Sequence, residues 1–239
     1  MGHQPIPRGE PSFARYAVYW APEETTALAR FGARWLGAPA EAASALGLDL
    51  RRLEAATAEP ARYGFHGTLL APFRLKRGVD GKALGAHLER FAAARPPIRL
   101  SPLKIERIGS FLALVPCARE AKIRALHIQC LFAFERFRGP STPKEQTRRE
   151  AGAGETTEKL LLAQWGYAHV LHLFRFHLTL TGRLSDAARA RFAAALEVEV
   201  EALNAEPVAL DSLCLFGDPG EGRRFRLIAR YPLGGRRGR

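Results

Sequence analysis

The sequence predicts an α+β protein built from two similar lobes, and three observations predict it. A pentapeptide, Phe-His-x-Thr-Leu, occurs twice, as Phe65-His66-Gly67-Thr68-Leu69 and as Phe176-His177-Leu178-Thr179-Leu180. Each copy is followed by a helix-like stretch and then by a strand that opens on a proline, with Pro97 31 residues after His66 and Pro207 30 after His177. Around both anchors, period-two apolar runs alternate with runs of helical spacing. Chance is a poor source of the repeat: 14 Phe and 7 His among 239 residues give roughly 0.4 Phe-His pairs at random.

The elements follow in order. Tyr16–Trp20 reads as a strand, and Glu23–Leu36 as an amphipathic helix with Leu28, Phe31 and Trp35 at helical spacing. The first histidine strand, Gly64–Leu70, leads to a helix over Asp80–Ala94 and to the Pro97 strand, in which Ile98 and Leu100 share a face. Proline is acceptable at the front of a strand because little of the ladder is lost there. Phe111–Val115 is a further strand, and Ala118–Phe137 a helix with Ile123, Leu126, Cys130, Leu131 and Phe134 on one side. Arg136–Arg149 is basic and carries Pro140 and Pro143, which predicts a solvated loop. Beyond a break at Gly152–Gly154, Thr156–His169 reads as a helix and Arg175–Thr181 as the second histidine strand. Ser185-Asp186 opens a helix to about Leu203, and the Pro207 strand places Val208 and Leu210 on one face. The turn residues Gly217–Gly222 join this strand region to Phe225–Tyr231 as a hairpin. The expected boundaries are a single domain with lobe one over about 15–116 and lobe two over about 117–233; residues 1–11 and 234–239 are expected to be disordered.

Composition narrows the class. A chain of 239 residues with 47% hydrophobic and 25% charged residues is long and apolar enough to bury a core. No apolar run reaches the roughly 18 residues that cross a bilayer, and the N-terminus lacks the apolar stretch of a secretory signal, so a cytoplasmic location is expected. Cys117, Cys130 and Cys214 have no metal-ligand spacing and read as reduced thiols rather than a disulfide frame or zinc site. The net charge of +12 suits phosphates or nucleic acid, although Arg236, Arg237 and Arg239 place part of it in a Gly-Arg tail.

Strand parity gives the repeat its chemistry. His66 and Thr68 share one face of their strand, and His177, Thr179 and Thr181 share one face of theirs, with Phe and Leu behind. Two imidazoles titrating near neutrality supply one base and one acid, which suits a cyclic phosphodiester. One takes the proton of the attacking water and the other protonates the departing ribose oxygen. Thr68 and Thr179 donate to the non-bridging oxygens. The scheme calls for no metal and no cofactor. Arg175 lies on the His177 face and suits bidentate phosphate binding. Tyr63 has the opposite parity to His66, so a direct role needs a bend near Gly64. Tyr19 and Tyr167 suit stacking on a base or ribose, or places in the core. His169, His172 and His177 match no compact metal motif, and His87 and His127 fall in helical patterns as surface or core residues.

Two His-x-Thr motifs 111 residues apart resemble the 2H phosphoesterase superfamily of RNA 2',3'-cyclic phosphodiesterases and 2'-5' RNA ligase-like proteins. The stretches Arg15–Pro22, Phe31–Gly37, Tyr63–His66, Ala71–Leu75 and Phe174–Leu184 resemble a narrower bacterial group of phosphonate-metabolism proteins encoded beside carbon–phosphorus lyase genes. The resemblance implies two concave antiparallel sheets facing a central cleft, helices outside, and His66, Thr68, His177 and Thr179 in the cleft. It also implies a link to phosphonate breakdown, where ribose 1,2-cyclic phosphate occurs. The group's usual His-Ala-Thr-Leu-Lys is here His66-Gly67-Thr68-Leu69-Leu70. Leu70 therefore removes any phosphate contact made by that lysine, whereas Gly67 points away from His66 and is expected to matter less. The expected partner is a small phosphorylated substrate, with RNA as a further candidate; no membrane partner is expected, and a monomer is. The alternatives are an RNA or nucleotide binding protein without turnover, and an RNA end-joining enzyme using the same site in reverse.

Overall fold

A computed structural model describes residues 13–118, 120–154 and 156–234. The segments expected to be disordered, apart from Gly234, lie outside the described residues. Strand β1 (Arg15–Trp20) leads to three helices, α1 (Ala27–Gly37), α2 (Pro39–Leu46) and α3 (Leu50–Tyr63). The Thr26 hydroxyl starts α1 by accepting the Ala29 N–H at 3.1 Å, and Asp49 starts α3 by accepting the Arg52 N–H at 2.9 Å. Such caps satisfy donors that the first helical turn leaves unpaired. Next come β2 (Gly67–Phe73), α4 (Gly81–Ala93), β3 (Ile98–Arg99), β4 (Leu103–Ile108), β5 (Phe111–Pro116) and α5 (Ala121–Phe134). The chain then forms α6 (Pro143–Gly152), α7 (Thr156–Trp165), β6 (Leu178–Thr179), α8 (Asp186–Leu203), β7 (Ala209–Leu210), β8 (Ser212–Asp218) and β9 (Arg226–Pro232).

The α+β class and the antiparallel strands are as the sequence predicts. The two expected sheets run together as one seven-stranded sheet of order β4-β5-β6-β2-β1-β8-β9, joined where Gly67 stands opposite Leu178. The lobe boundary needs correction. Strand β6, which carries the second motif, pairs with β5 from the first copy, while β2 shares its half of the sheet with the β8–β9 hairpin from the second. The copies therefore exchange hairpins, and lobes of 15–116 and 117–233 do not describe the sheet. The exchange passes through the proline-led strands, which pair with each other: Ile98 opposes Leu210 and Arg99 opposes Ala209. Sequence offsets report the repeat but not which copy each hairpin joins.

One face of the sheet is dry. Val18, Trp20, Leu69, Leu178, Leu180 and Leu213 pack there in a single core with the helices, and the Trp35 indole donates to the Leu180 carbonyl at 2.7 Å. Helix α4 lies on β8 and β9, and α8 on β4 and β5. With its back fixed by apolar burial, the sheet turns the alternate residues of β1, β2, β6 and β8 to the opposite face. No helix among the described residues is long and apolar enough to cross a membrane.

Candidate active site

Both motifs meet at the joint in the sheet. Gly67 opposite Leu178 sets, one residue further on each side, His66 opposite Thr179 and Thr68 opposite His177. Residues directly opposed in an antiparallel pair share a face, with Cβ atoms about 5 Å apart. The two histidines and two threonines therefore form one four-cornered cluster on one face of the sheet. All four are half-buried, while Phe176, Leu178, Leu180 and Leu69 behind them are buried.

The two imidazoles are held alike. His66 Nδ1 donates to the Gly64 carbonyl at 2.9 Å, and His177 Nδ1 to the Arg175 carbonyl at 2.8 Å, in each case two residues back. A carbonyl can only accept, so Nδ1 bears the proton and Nε2 is left with its lone pair. In His66 that Nε2 accepts the Thr68 hydroxyl at 3.2 Å. The surroundings differ. Tyr19, opposite Thr68 on β1, stacks on the His66 ring with centroids 3.7 Å apart, whereas Phe111 stands 5.7 Å from the His177 ring. Burial pushes the His66 imidazole down to about 4, against the pull of its Gly64 hydrogen bond, and His177 adds a smaller repulsion. Burial lowers His177 too.

Other residues singled out in the sequence fall into place differently. Tyr19 is in the core, its phenol pushed well above its ordinary range by burial and, to a smaller degree, by neighbouring Tyr63 and Tyr167. It supports His66 rather than offering a free face to a ligand. Tyr63 ends α3, and the bend its parity required is present at Gly64, whose φ of 80° lies in the left-handed region. Tyr63 packs on Phe225, and Tyr167 is partly open, 5.8 Å from the His169 ring. Thr181 is 0% exposed: its hydroxyl accepts the Leu112 N–H at 3.0 Å and donates to the Gly182 carbonyl at 2.9 Å, so it pins the strand and is not open to a ligand. Arg175 is exposed but tied to Glu106 at 2.5 Å, away from free phosphate binding. Leu70 is buried opposite Val18. Among the described residues no group of three or more His, Cys, Asp or Glu could hold a metal ion.

Two features escape a reading of the sequence. The first is His127, 3% exposed in α5. Its Nδ1 donates to the Leu69 carbonyl on the first histidine strand at 2.8 Å, its Nε2 accepts the Leu171 N–H at 3.2 Å on the approach to the second, and its ring stacks on Phe174 at 3.9 Å. It thus ties both motifs to one helix. Replacing it with phenylalanine keeps the stack but takes a partner from the buried Leu69 carbonyl and from the partly buried Leu171 N–H. A loss of about 2–3 kcal/mol is expected, read as a lower urea midpoint at unchanged slope.

The second is α6, expected as a solvated loop. Thr142 and Glu145 form a capping box ahead of it, with Pro143 in its first turn. That signature is present in the sequence, inside a basic, proline-containing stretch whose composition alone predicts a loop. From α6, Glu145 takes a fork from Arg74 at 2.9 and 3.2 Å and lies 3.6 Å from Arg15, which holds buried Asp218 at 2.5 Å. Burial raises the Glu145 carboxyl, but Arg74 and Thr142 outweigh it and hold the group at about 2. Arg149 from the same helix donates to the carbonyls of Pro72 and Gly166. These bonds anchor α6 to β1 and β2.

A family model described as a protein of unknown function, DUF1045, matches residues 68–226. A protein of Janthinobacterium sp. (strain Marseille) named ribose 1,5-bisphosphate phosphokinase PhnN is 32% identical over 241 residues, covering 94% of this chain and 52% of that one. The chain spans about half the length of the curated relatives it matches. Among solved structures, E. coli LigT complexed with NADP+ aligns over 93% of this chain and 99% of its own, at 15% identity and a TM-score of 0.42. Usb1 of Kluyveromyces marxianus aligns over 91% and 99%, at 10% identity and a TM-score of 0.44.

Proposed function

The chain belongs to the DUF1045 family, whose description assigns no activity, and we propose that it is a metal-independent phosphodiesterase that opens a small cyclic phosphate by paired-histidine catalysis. The observation that carries this reading is the joint at Gly67 and Leu178, which brings two identically tethered imidazoles and two hydroxyls to one face. Binding alone would be served by Arg or Lys; a matched pair of neutral imidazoles suits proton transfer. The kinase in the relatives' name is said of those proteins. This sequence contains no Gly-x4-Gly-Lys-Ser/Thr phosphate loop, the cradle of P-loop kinases. The pentose in that name, ribose 1,5-bisphosphate, supports a sugar phosphate as the substrate class, in line with the resemblance to phosphonate-metabolism proteins.

We infer the roles of the two rings from their asymmetry. His66, under Tyr19 and pushed furthest down, is the base: its Nε2 takes a proton from water as the oxygen attacks phosphorus. His177, less enclosed, carries the proton on Nε2 that passes to the ribose oxygen as its bond to phosphorus breaks. Thr68 turns its hydroxyl from His66 to a non-bridging oxygen, and Thr179 donates to the other. Hydrolysis of ribose and nucleoside cyclic phosphates, unchanged by EDTA, is the expected result; absence of turnover, or its abolition by EDTA, contradicts the reading.

The active form holds one proton between two rings, and both ordinary values are lowered, from 6.5 to about 4 for His66. The free enzyme is singly protonated mainly below pH 6.5. The kcat/KM profile should therefore be a bell centred between about pH 4 and 6.5, its limbs belonging to the coupled pair, and should fall toward pH 8. An optimum above pH 7.5 would count against the assignment. Stability follows the same shifts. Between these values the unfolded chain binds protons that the folded one refuses, so the contribution is intact above pH 6.5 and is lost as pH falls toward 4.

A further inference from the structure

Beside His66 the site is walled by tyrosines. Tyr19 stands opposite Thr68, one strand spacing of about 5 Å away on the same face. Tyr63 closes α3, and its ring lies 5.0 Å from Phe225, which also flanks Tyr19 at 6.3 Å. Tyr167 follows Gly166, and Arg149 donates both to the Gly166 carbonyl and to that of Pro72 on β2. This bridge keeps Tyr167 near the other two rings. Burial raises the Tyr19 phenol, and Tyr63 and Tyr167 each push it further. Burial also raises Tyr167; Arg149 pulls it back, and Tyr63 adds to the rise.

The rings themselves are taken. His66, Phe216 and Phe225 enclose the Tyr19 ring at 3.7, 5.1 and 6.3 Å, and Phe225 and Arg62 flank that of Tyr63. Neither leaves a face for a base to stack on. The hydroxyls are a different matter. Among the described residues none of the three makes a hydrogen bond. Tyr19 is 1% exposed, yet the buried side-chain atoms left without a partner belong to Trp20, His87 and Trp165. The Tyr19 hydroxyl therefore ends at an accessible gap. The guanidiniums beside these rings are engaged: Arg15 and Arg62 with Asp218, and Arg149 with the Ser141 hydroxyl and two carbonyls. Neutral groups that both donate and accept, with no free cation among them, suit the hydroxyls of a ligand rather than a second anion.

We propose that the Tyr19, Tyr63 and Tyr167 hydroxyls form a subsite for the free hydroxyls of the sugar that carries the cyclic phosphate, and so set the specificity of the reaction. The proposal rests on the phosphodiesterase reading above. With the phosphate held at Thr68, a ring hydroxyl two or three bonds of about 1.5 Å away comes level with the neighbouring strand and Tyr19. A site built for substrate hydroxyls rejects an analogue without them, because its own polar groups are then left unpaired.

The test compares ribose 1,2-cyclic phosphate with its 3-deoxy analogue. The wild type should prefer the hydroxylated compound by about 10- to 100-fold in kcat/KM. In Tyr63→Phe/Tyr167→Phe the ratio should fall toward one. Tyrosines that serve only packing would lower both rates together and keep the ratio. A ratio that survives the substitutions, or a wild type that treats both compounds alike, overturns the subsite and leaves hydrolysis standing. Where the double variant does not fold, Tyr167→Phe alone decides, since its ring is partly open: a lowered ratio supports the subsite and an unchanged one overturns it. If the wild type hydrolyses neither compound, the phosphodiesterase reading fails, and calorimetry with ribose 1-phosphate decides the subsite by itself. Binding weakened at least tenfold in Tyr63→Phe/Tyr167→Phe supports it; equal binding, or none to either protein, overturns it. A preference for nucleoside cyclic phosphates over the bare sugar also overturns it.

Discussion

Replacing His66 with alanine is expected to lower kcat for cyclic phosphate hydrolysis by about 10²- to 10⁴-fold, and His177→Ala by a similar factor. KM should change little in either variant, because the proposed phosphate contacts, the Thr68 and Thr179 hydroxyls, are left in place. The double variant should fall well short of the product of the single losses. An acid without its base, or a base without its acid, has already forfeited most of the shared benefit. The pH profile separates the two roles. His66→Ala removes the base and should flatten the acid limb; His177→Ala removes the acid and should flatten the alkaline one. Neither imidazole is deep in the apolar core, so both variants should keep the far-ultraviolet spectrum of the wild type. Equal activity in all three proteins would end the paired-histidine account. A loss confined to one variant would leave a single-histidine mechanism.

The shared face of the candidate site residues was legible in the sequence because that information is local. Residues 66 and 68, and 177 and 179, lie on one face of a strand whatever that strand pairs with, and the Phe-Leu backing says which face is dry. What could not be read is pairing. The period-two pattern of Phe111–Pro116 and Arg226–Pro232 is the same whichever histidine strand each hairpin joins, so their exchange between halves left no mark. Helices α2 and α3 were missed because alanine supplies much of their buried side: Ala42, Ala43 and Ala56 present little apolar contrast at helical spacing. His127 was placed among surface or core residues, since nothing in α5 announces that its partners are the Leu69 carbonyl and the Leu171 amide. Thr181 shared the parity of Thr179 yet turned inward, its hydroxyl drawn to the backbone at the strand's end.

Gly67 is the clearest departure from expectation, and Gly67→Ala should cost about 1–3 kcal/mol despite adding one methyl group. Gly67 does point away from His66, but toward Phe176 of the other motif. A Cβ there would meet the Phe176 ring at 2.5 Å. The ring is 7% exposed and lies 6.0 Å from the Trp20 ring, so it has little room to retreat. Gly32 receives Phe65 in the same manner, where an added Cβ would come within 2.7 Å of the Phe65 Cβ. Each motif phenylalanine is thus seated on a glycine. At Gly67 the strain falls on the pair that joins β2 to β6, so relief would spread the two histidines. The alternative force, a lower backbone entropy of the unfolded chain with alanine, favours the substitution by about 0.4–1 kcal/mol and is the smaller effect. The melting temperature of Gly67→Ala should fall by roughly 3–10 °C, and kcat should fall with it. Shortening the obstruction tests the cause: Phe176→Leu combined with Gly67→Ala should recover part of both losses through a favourable coupling. A double variant no better than the sum of the single ones would show that Phe176 is not what keeps residue 67 a glycine.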